Sequence, residues 1–320
     1  MFGDNICGNI SAPTSLSYAS ASLSILIALT SIAGNLLVIL AVLVDPNKDL
    51  RSPFNYFVIN LAFADLIVGC VVAPISAIFH TYEGLGVRMI VPIKVLHLTF
   101  FITCTASLLS LAALTVDRYL AITSPLEYRT KLSTSRVIIA SVAIWIFAVG
   151  FSFIYLKSGY ILYTFVFAHT TIVFTFMVLL FTYLKIFSSF RSQVQHWENL
   201  AETTEENQAS QRAMKWEKKI TKTFLIVLAL FMACYVPSCI FVYIMNLCTR
   251  CSCVLVHVSR DLQIMFVMAN SSMNPFVYGW RLENYRRAFK RILTCRWFVR
   301  KIRSLSRSVL SIGERQDSSS

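Results

Sequence analysis

Charge is scarce in this sequence. Asp, Glu, Lys and Arg supply 14% of its 320 residues, against roughly 25% in an ordinary soluble domain. Hydrophobic residues reach 56% and mean hydropathy is +0.65. These values exclude a disordered chain, a disulfide-stapled miniprotein and a water-soluble enzyme. Acids are the scarcer sign, 16 against 29 basic residues, which leaves a net charge of +13. Residues 1–17 contain no Lys or Arg, so the first apolar segment lacks the basic region of a cleaved signal peptide and is expected to persist. There is no internal repeat and no glycine-rich phosphate loop. The five histidines, at 80, 97, 169, 196 and 257, show no metal-ligand spacing. A repeat-built transporter and a nucleotide-dependent or metal-dependent enzyme each lose their expected signature.

Long uncharged runs are what the sequence does have. Asn5 to Val44 has no charge, and its apolar part starts near Tyr18. Pro53 to His80 carries only Asp65, while Val95–Val116, Val137–Leu156, Ser158–Leu184, Thr223–Thr249 and Leu262–Trp280 carry none. About 20 apolar residues as helix cross a hydrocarbon core of ~30 Å, and such a span must pair all its own backbone groups. One such run would suit the core of a large soluble protein; seven in one chain predict an all-α membrane protein, a seven-transmembrane helix bundle. The expected divisions are an extracellular amino terminus (1–17), the transmembrane domain (18–280), an amphipathic eighth helix (281–294) and a cytoplasmic tail (295–320).

The basic residues orient the bundle. Of the 29, 24 lie in the connections 45–53, 118–136, 185–222 and 281–320. Basic residues near span ends stay cytoplasmic, so the amino terminus is expected outside. The sequon Asn9-Ile10-Ser11 then faces the glycosylating compartment. The one long connection, Ser189–Met214, is polar and lacks glycine and proline, which predicts an extension of the helices beside it.

Polar residues inside a bilayer need a partner or a function. Asp65 is the one charge near a span centre, with Asn35, Ser107, Asn270, Ser271 and Asn274 as candidate neighbours. Such an oxygen-rich group can hold a small cation or water, or serve as hydrogen-bonded glue. Asp117-Arg118-Tyr119 ends the third span, and Glu217 precedes the sixth, within reach of Arg118 if those helices pack together. Pro237 and Pro275 fall inside the sixth and seventh spans, where proline removes a helix hydrogen bond and creates a kink usable as a pivot.

Gly34-Asn35, Leu61-Ala62-Phe63-Ala64-Asp65, Asp117-Arg118-Tyr119, Trp145, Tyr183, the run Phe231 to Pro237 and Asn274-Pro275-Phe276-Val277-Tyr278 occur in order, one set per span. Together they make the chain resemble a rhodopsin-like (class A) G protein-coupled receptor over its whole length. That resemblance implies a receptor rather than an enzyme. It implies a sodium pocket at Asp65, Ser107, Asn270 and Asn274, and an inactive-state lock of Arg118 with Asp117 and Glu217. It makes Tyr119, Tyr183, Phe231, Tyr235, Pro237, Pro275 and Tyr278 activation switches, and Arg118, Pro125 and Leu126 contacts for a heterotrimeric G protein. Arrestin and a receptor kinase are implied as further partners of the Ser-rich tail. Cys295 resembles a palmitoylation site, beside a basic eighth helix facing membrane lipids.

The departures are also informative. Ile93 stands where the family has a cysteine, the link after the fourth span has none, and the second extracellular loop is a stub. Tyr235 replaces the usual tryptophan and Thr175 the helix-five proline. In this the chain resembles the melanocortin, lysophospholipid, cannabinoid and adenosine group. Cys7, Cys248, Cys251 and Cys253 lie in the oxidising compartment. Cys248 with Cys251 could close a small loop, leaving Cys7 for Cys253, although four cysteines allow three pairings and a zinc site with His257 is an alternative.

The family's ligand region falls here on His97, Phe100, Phe101, Cys104, Tyr235, Cys239, Ile264 and Met268, with Lys94 and Gln263 at its rim. Phe100 occupies the place of the amine receptors' acid, helix seven has no lysine for a retinal Schiff base, and Ile75, Ile93 and His97 replace the melanocortin calcium acids. The expectation is a lipid-like or hydrophobic extracellular ligand, or signalling without one. The competing class is a transporter or channel that uses Asp65 as an ion relay.

Overall fold

The computed structural model describes residues 7, 11–87, 93–123, 128, 133–160, 162–170, 173–174, 176–178, 180–181, 205–248 and 250–294; at 122, 205–218, 221 and 224 it describes backbone alone. Asn9, Pro125, Leu126, Thr175, Tyr183, Cys295 and the tail lie outside the described residues, as does the side chain of Glu217. The described secondary structure is helical, without strands. The helices are α1 (Thr14–Val44), α2 (Pro53–Gly84), α3 (Ile93–Thr123), α4 (Thr134–Ser152), α5 (described within 162–181), α6 (Glu205–Leu247), α7 (Cys253–Arg281) and α8 (Glu283–Leu293). Five of them are long and apolar enough to cross a membrane: α1, α2, α3, α4 with its short continuation to Ser158, and the part of α6 from Leu225 to Leu247. With α5 and α7 they form the seven-helix bundle.

Local chemistry explains the boundaries. α1 begins at Thr14, four residues earlier than its apolar run, because Pro13 sits at the N-cap, where a missing N–H costs nothing. It ends at Asp45 in the left-handed region, φ 42°, a conformation aspartate tolerates. The Asp45 carboxylate then accepts from the backbone N–H of Asp49 and Leu50 and shapes the turn between α1 and α2. Gly159, φ 78°, turns the chain between α4 and α5 in almost no length. The polar connection after α5 feeds α6, whose helix starts at Glu205, well before its apolar span. α8 starts at Glu283 rather than Arg281, since α7 continues to Arg281.

Prolines inside helices are repaired by neighbours. Pro275 offers no N–H to the carbonyl of Ser271, four residues back. That carbonyl instead accepts from Asn35 Nδ2 of α1 at 2.9 Å. One residue away, a Cβ at Gly34 would come within 2.9 Å of Pro275 Cγ, so glycine lets α1 lie directly on the proline ring. In α2 the segment Val68–Val72 widens to a π-helix just before Pro74, and Ser31 Oγ donates to the carbonyl of Asp65 at 2.8 Å. Trp145 Nε1 donates to Asn60 Oδ1 at 2.9 Å, and Asn60 Nδ2 to Ser110 Oγ at 2.7 Å, which ties α4, α2 and α3 together.

Large apolar side chains cover the outside; Ile146 and Trp280 are 70% and 69% exposed. In water such a surface would aggregate, whereas it suits hydrocarbon. α8 packs at the α7 end of the bundle with Tyr285 and Ala288 buried and Arg286 and Arg287 outward. Tyr285 donates to Asn55 Oδ1 of α2 at 2.7 Å, which pins this amphipathic helix to the bundle.

Candidate functional site

The polar residues inside the bundle converge on Asp65, which is fully buried. Asn274 Nδ2 donates to Asp65 Oδ2 at 2.8 Å, and Ser107 Oγ to Oδ1 at 3.4 Å. Asn270 and Ser271 are buried on α7 beside them. Three side-chain oxygens in this layer, Oδ1 of Asn35, Asn270 and Asn274, are buried without a hydrogen-bond partner. A buried acceptor left unpaired costs free energy. The arrangement is a carboxylate with unclaimed amide oxygens nearby, which suits a small cation or water.

Above it lies a cavity of about 10 Å³ lined by Phe100, Cys104, Ser107, Tyr235, Met268 and Asn270 among others, room for roughly one water. It places the floor of the expected ligand region against Ser107 and Asn270 of the Asp65 layer. Tyr235 stacks on Phe231, ring centroids 3.9 Å apart. The other expected pocket residues sit elsewhere. Phe101 is enclosed by Tyr155, Tyr163 and Phe167, and His97 stacks on Tyr160 and contacts the Tyr155 hydroxyl at 3.1 Å. Cys239 packs against Ala168, and Ile264 packs on the rim of the main core.

At the end of the bundle that carries α8, Arg118 and Asp117 are both buried. Arg118 Nη2 and Nε donate to Asp117 Oδ2 at 2.6 and 2.9 Å. Tyr128, from the connection after α3, donates to Asp117 Oδ1 at 3.1 Å and accepts from Arg118 Nη2 at 3.2 Å. The guanidinium also lies 4.3 Å from the centre of the Phe54 ring, a cation–π contact. Tyr128 was not singled out from the sequence; a tyrosine in the connection next to a buried Asp-Arg pair is the signal that marks it. A cavity of about 140 Å³ opens below, lined by Arg118, Tyr128, Ile220, Leu282 and Tyr285 among others. Tyr119 faces Phe181 of α5, and the buried Tyr278 packs on Tyr285.

At the opposite end the cysteines pair as Cys7–Cys253 and Cys248–Cys251, so the zinc alternative with His257 does not hold. Close by, Arg260 Nη2 donates to both oxygens of Glu83 at 2.8 and 2.9 Å, and Arg260 Nε to Asp261 Oδ1 at 2.9 Å. Burial alone would lower the Arg260 pKa, but the Asp261 and Glu83 carboxylates outweigh it and hold it above its ordinary value. His80 joins this group. Its spacing to Glu83, three residues on one helix, was the available sequence signal.

The comparisons agree with this geometry. The family model for the 7 transmembrane receptor (rhodopsin family) matches residues 34–160 and 157–278. The chain is 27% identical to the histamine H2 receptor of Cavia porcellus over 85% of its length and 78% of the relative's. It is 28% identical to melanocortin receptor 5 of Rattus norvegicus over 96% and 94%, and 26% identical to octopamine receptor beta-2R of Chilo suppressalis over 85% and 78%. With the family match running from Gly34 to Tyr278, the residues that open and close the motif series, the chain belongs to the rhodopsin family of seven-transmembrane receptors and is a G protein-coupled receptor of the cell membrane.

Proposed function

We propose that this receptor, with its amino terminus outside, responds to a lipid-like or otherwise hydrophobic ligand and activates heterotrimeric G proteins by outward movement of α6. The observation that carries the ligand class is the lining of the inner cavity. Phe100, Cys104, Tyr235, Val267 and Met268 offer apolar and aromatic surface, and the described lining contains no acid or base. Relatives named for histamine and octopamine take amines, whose ammonium needs a carboxylate; Phe100 supplies a ring instead.

A ligand seated over this lining, widening a cavity that now holds about one water, presses on Tyr235 and, through the stack, on Phe231 of α6. Pro237, two residues beyond Tyr235, gives the helix its pivot. Opening of α6 at the cytoplasmic end frees Arg118 from Asp117 and Tyr128 and enlarges the cavity beneath it, where the G protein docks with help from Pro125 and Leu126. Glu217 strengthens the closed state, and Tyr183, Tyr119 and Tyr278 support the open one.

Asp65, Ser107, Asn270 and Asn274 are the residues that would hold sodium, and the three unpaired amide oxygens support that fit. A bound sodium ion supplies positive charge opposite Asp65 and favours the contracted, inactive arrangement. Glycosylation at Asn9, palmitoylation at Cys295, and phosphorylation of the tail for arrestin and a receptor kinase complete the reading; the excess of cytoplasmic basic residues and the exposed Arg286 and Arg287 on α8 support the orientation and lipid contact.

The test is a G-protein dissociation assay in cells, run against lipids, peptides, nucleosides and amines. Activation by an apolar or lipid ligand that is lost in Phe100→Asp is the expected result. Activation by amines alone overturns the ligand class.

A further inference from the structure

The cluster at the outer ends of α1, α2 and α7 has no part in the mechanism above. His80 and Asp261 are buried, and Glu83 is nearly so. His80 Nδ1 lies 3.3 Å from Glu83 Oε2 and 3.7 Å from Asp261 Oδ2, and the three donor atoms fall within 4.8 Å of one another. Zinc–nitrogen and zinc–oxygen bonds of about 2.0–2.2 Å make the edge of a tetrahedral site roughly 3.4 Å. The two histidine–carboxylate separations therefore already match the edges of such a site. We propose that His80, Glu83 and Asp261 bind a divalent transition cation, zinc above all, and so clamp the outer end of α2 to that of α7.

Three further features support this. Ser17 Oγ donates to Glu83 Oε2 at 3.0 Å and Ser20 Oγ to Asp261 Oδ2 at 2.9 Å, so α1 orients the same two oxygens that face the imidazole. Outer partners of this kind fix ligand geometry. Charge points the same way. Two carboxylates, Glu83 and Asp261, face one guanidinium, Arg260. A cation taken on the imidazole lone pair sits beside both carboxylates, and the mixture of one nitrogen with two carboxylate oxygens selects zinc over calcium or magnesium, which prefer oxygen alone. Finally, Glu83 and Arg260 retain 15% and 26% side-chain exposure, so the site opens to the extracellular medium. Three protein ligands leave a fourth position for water or for a group on an arriving ligand.

The experiment uses the full-length receptor in lipid nanodiscs, titrated with zinc chloride and, separately, calcium chloride. Zinc affinity is read by competition with a chromophoric chelator, stability by melting temperature, and the ligand atoms by X-ray absorption at the zinc edge. Expected are one tight zinc per chain, a melting temperature that rises with zinc and not with equal calcium, and a shell of nitrogen and oxygen without sulfur. His80→Ala and Asp261→Asn should each weaken zinc at least about tenfold, while His257→Ala leaves it unchanged. Wild-type affinity in both site variants, sulfur in the shell, or equal stabilisation by calcium overturns the proposal. The absorption spectrum needs the wild type alone, so it decides even where a variant fails to fold.

Discussion

Asn274 Nδ2 donates to Asp65 Oδ2 at 2.8 Å and so joins α7 to α2 across 209 residues of sequence. The bond sits in the layer where Asn35 repairs the carbonyl freed by Pro275 and where three amide oxygens remain unpaired. A charge in this layer is therefore coupled to the proline that bends α7. If sodium occupies it, basal nucleotide exchange by the wild type should be lower in sodium chloride than in choline chloride. Asp65→Asn keeps the shape and removes the charge, and its exchange should be the same in both salts. Equal sodium sensitivity in the variant would remove Asp65 from the site.

Gly34 packs on the Pro275 ring too closely for any side chain. Gly34→Ala should cost about 1–3 kcal/mol, the usual range for overpacking against a rigid neighbour, seen as a lower melting temperature of the purified receptor. Gly150 has open space around it, so Gly150→Ala should not destabilise. Equal behaviour of the two variants would refute the close contact.

Tyr128 bonds both members of the Asp117–Arg118 pair. A hydrogen bond to a charged group is worth about 1.5–3 kcal/mol, and in the proposed mechanism these bonds break on activation. Tyr128→Phe should raise basal G-protein exchange roughly tenfold. An unchanged or lower basal rate would mean that Tyr128 supports the open state instead.

The Cys7–Cys253 bond ties the amino terminus to the start of α7. Cys7→Ser should lower stability by about 2–4 kcal/mol, and Cys253→Ser should match it. The double variant should lose no more than either single one, since both remove one bond. Additive losses would show that the cysteines act separately.

Much of this was legible because membranes simplify sequence. Uncharged runs gave the spans, and each intramembrane polar residue stood out against hydrocarbon, which is how Asp65, Asn274 and Arg118 were found. The Cys248–Cys251 and Cys7–Cys253 bonds are one of three pairings that the sequence left open, and the structure selects it. What stayed hidden depends on which helices touch. Asn35 serves Ser271 only because α1 crosses α7 at Pro275, and a sequence does not display that crossing. Tyr128 reaches Asp117 through a connection with no periodicity to read. His80, Glu83, Arg260 and Asp261 looked like ordinary residues at span ends, because their meaning arises from α2 and α7 meeting. The aromatic contacts of Phe101 and His97 with Tyr155, Tyr160 and Tyr163 were hidden for the same reason.

In the proposed mechanism Arg118, held by Asp117 and Tyr128, is the gate through which this receptor catalyses nucleotide exchange. This role is tested most directly by reconstituting wild type, Arg118→Ala and Tyr128→Phe in lipid nanodiscs with each class of heterotrimeric G protein and measuring the rate of guanine-nucleotide exchange. For at least one class the rate should rise from Arg118→Ala, equal to the G protein alone, through wild type to Tyr128→Phe. Rates for all three that equal the receptor-free rate with every class, or an Arg118→Ala rate as fast as wild type, would contradict it.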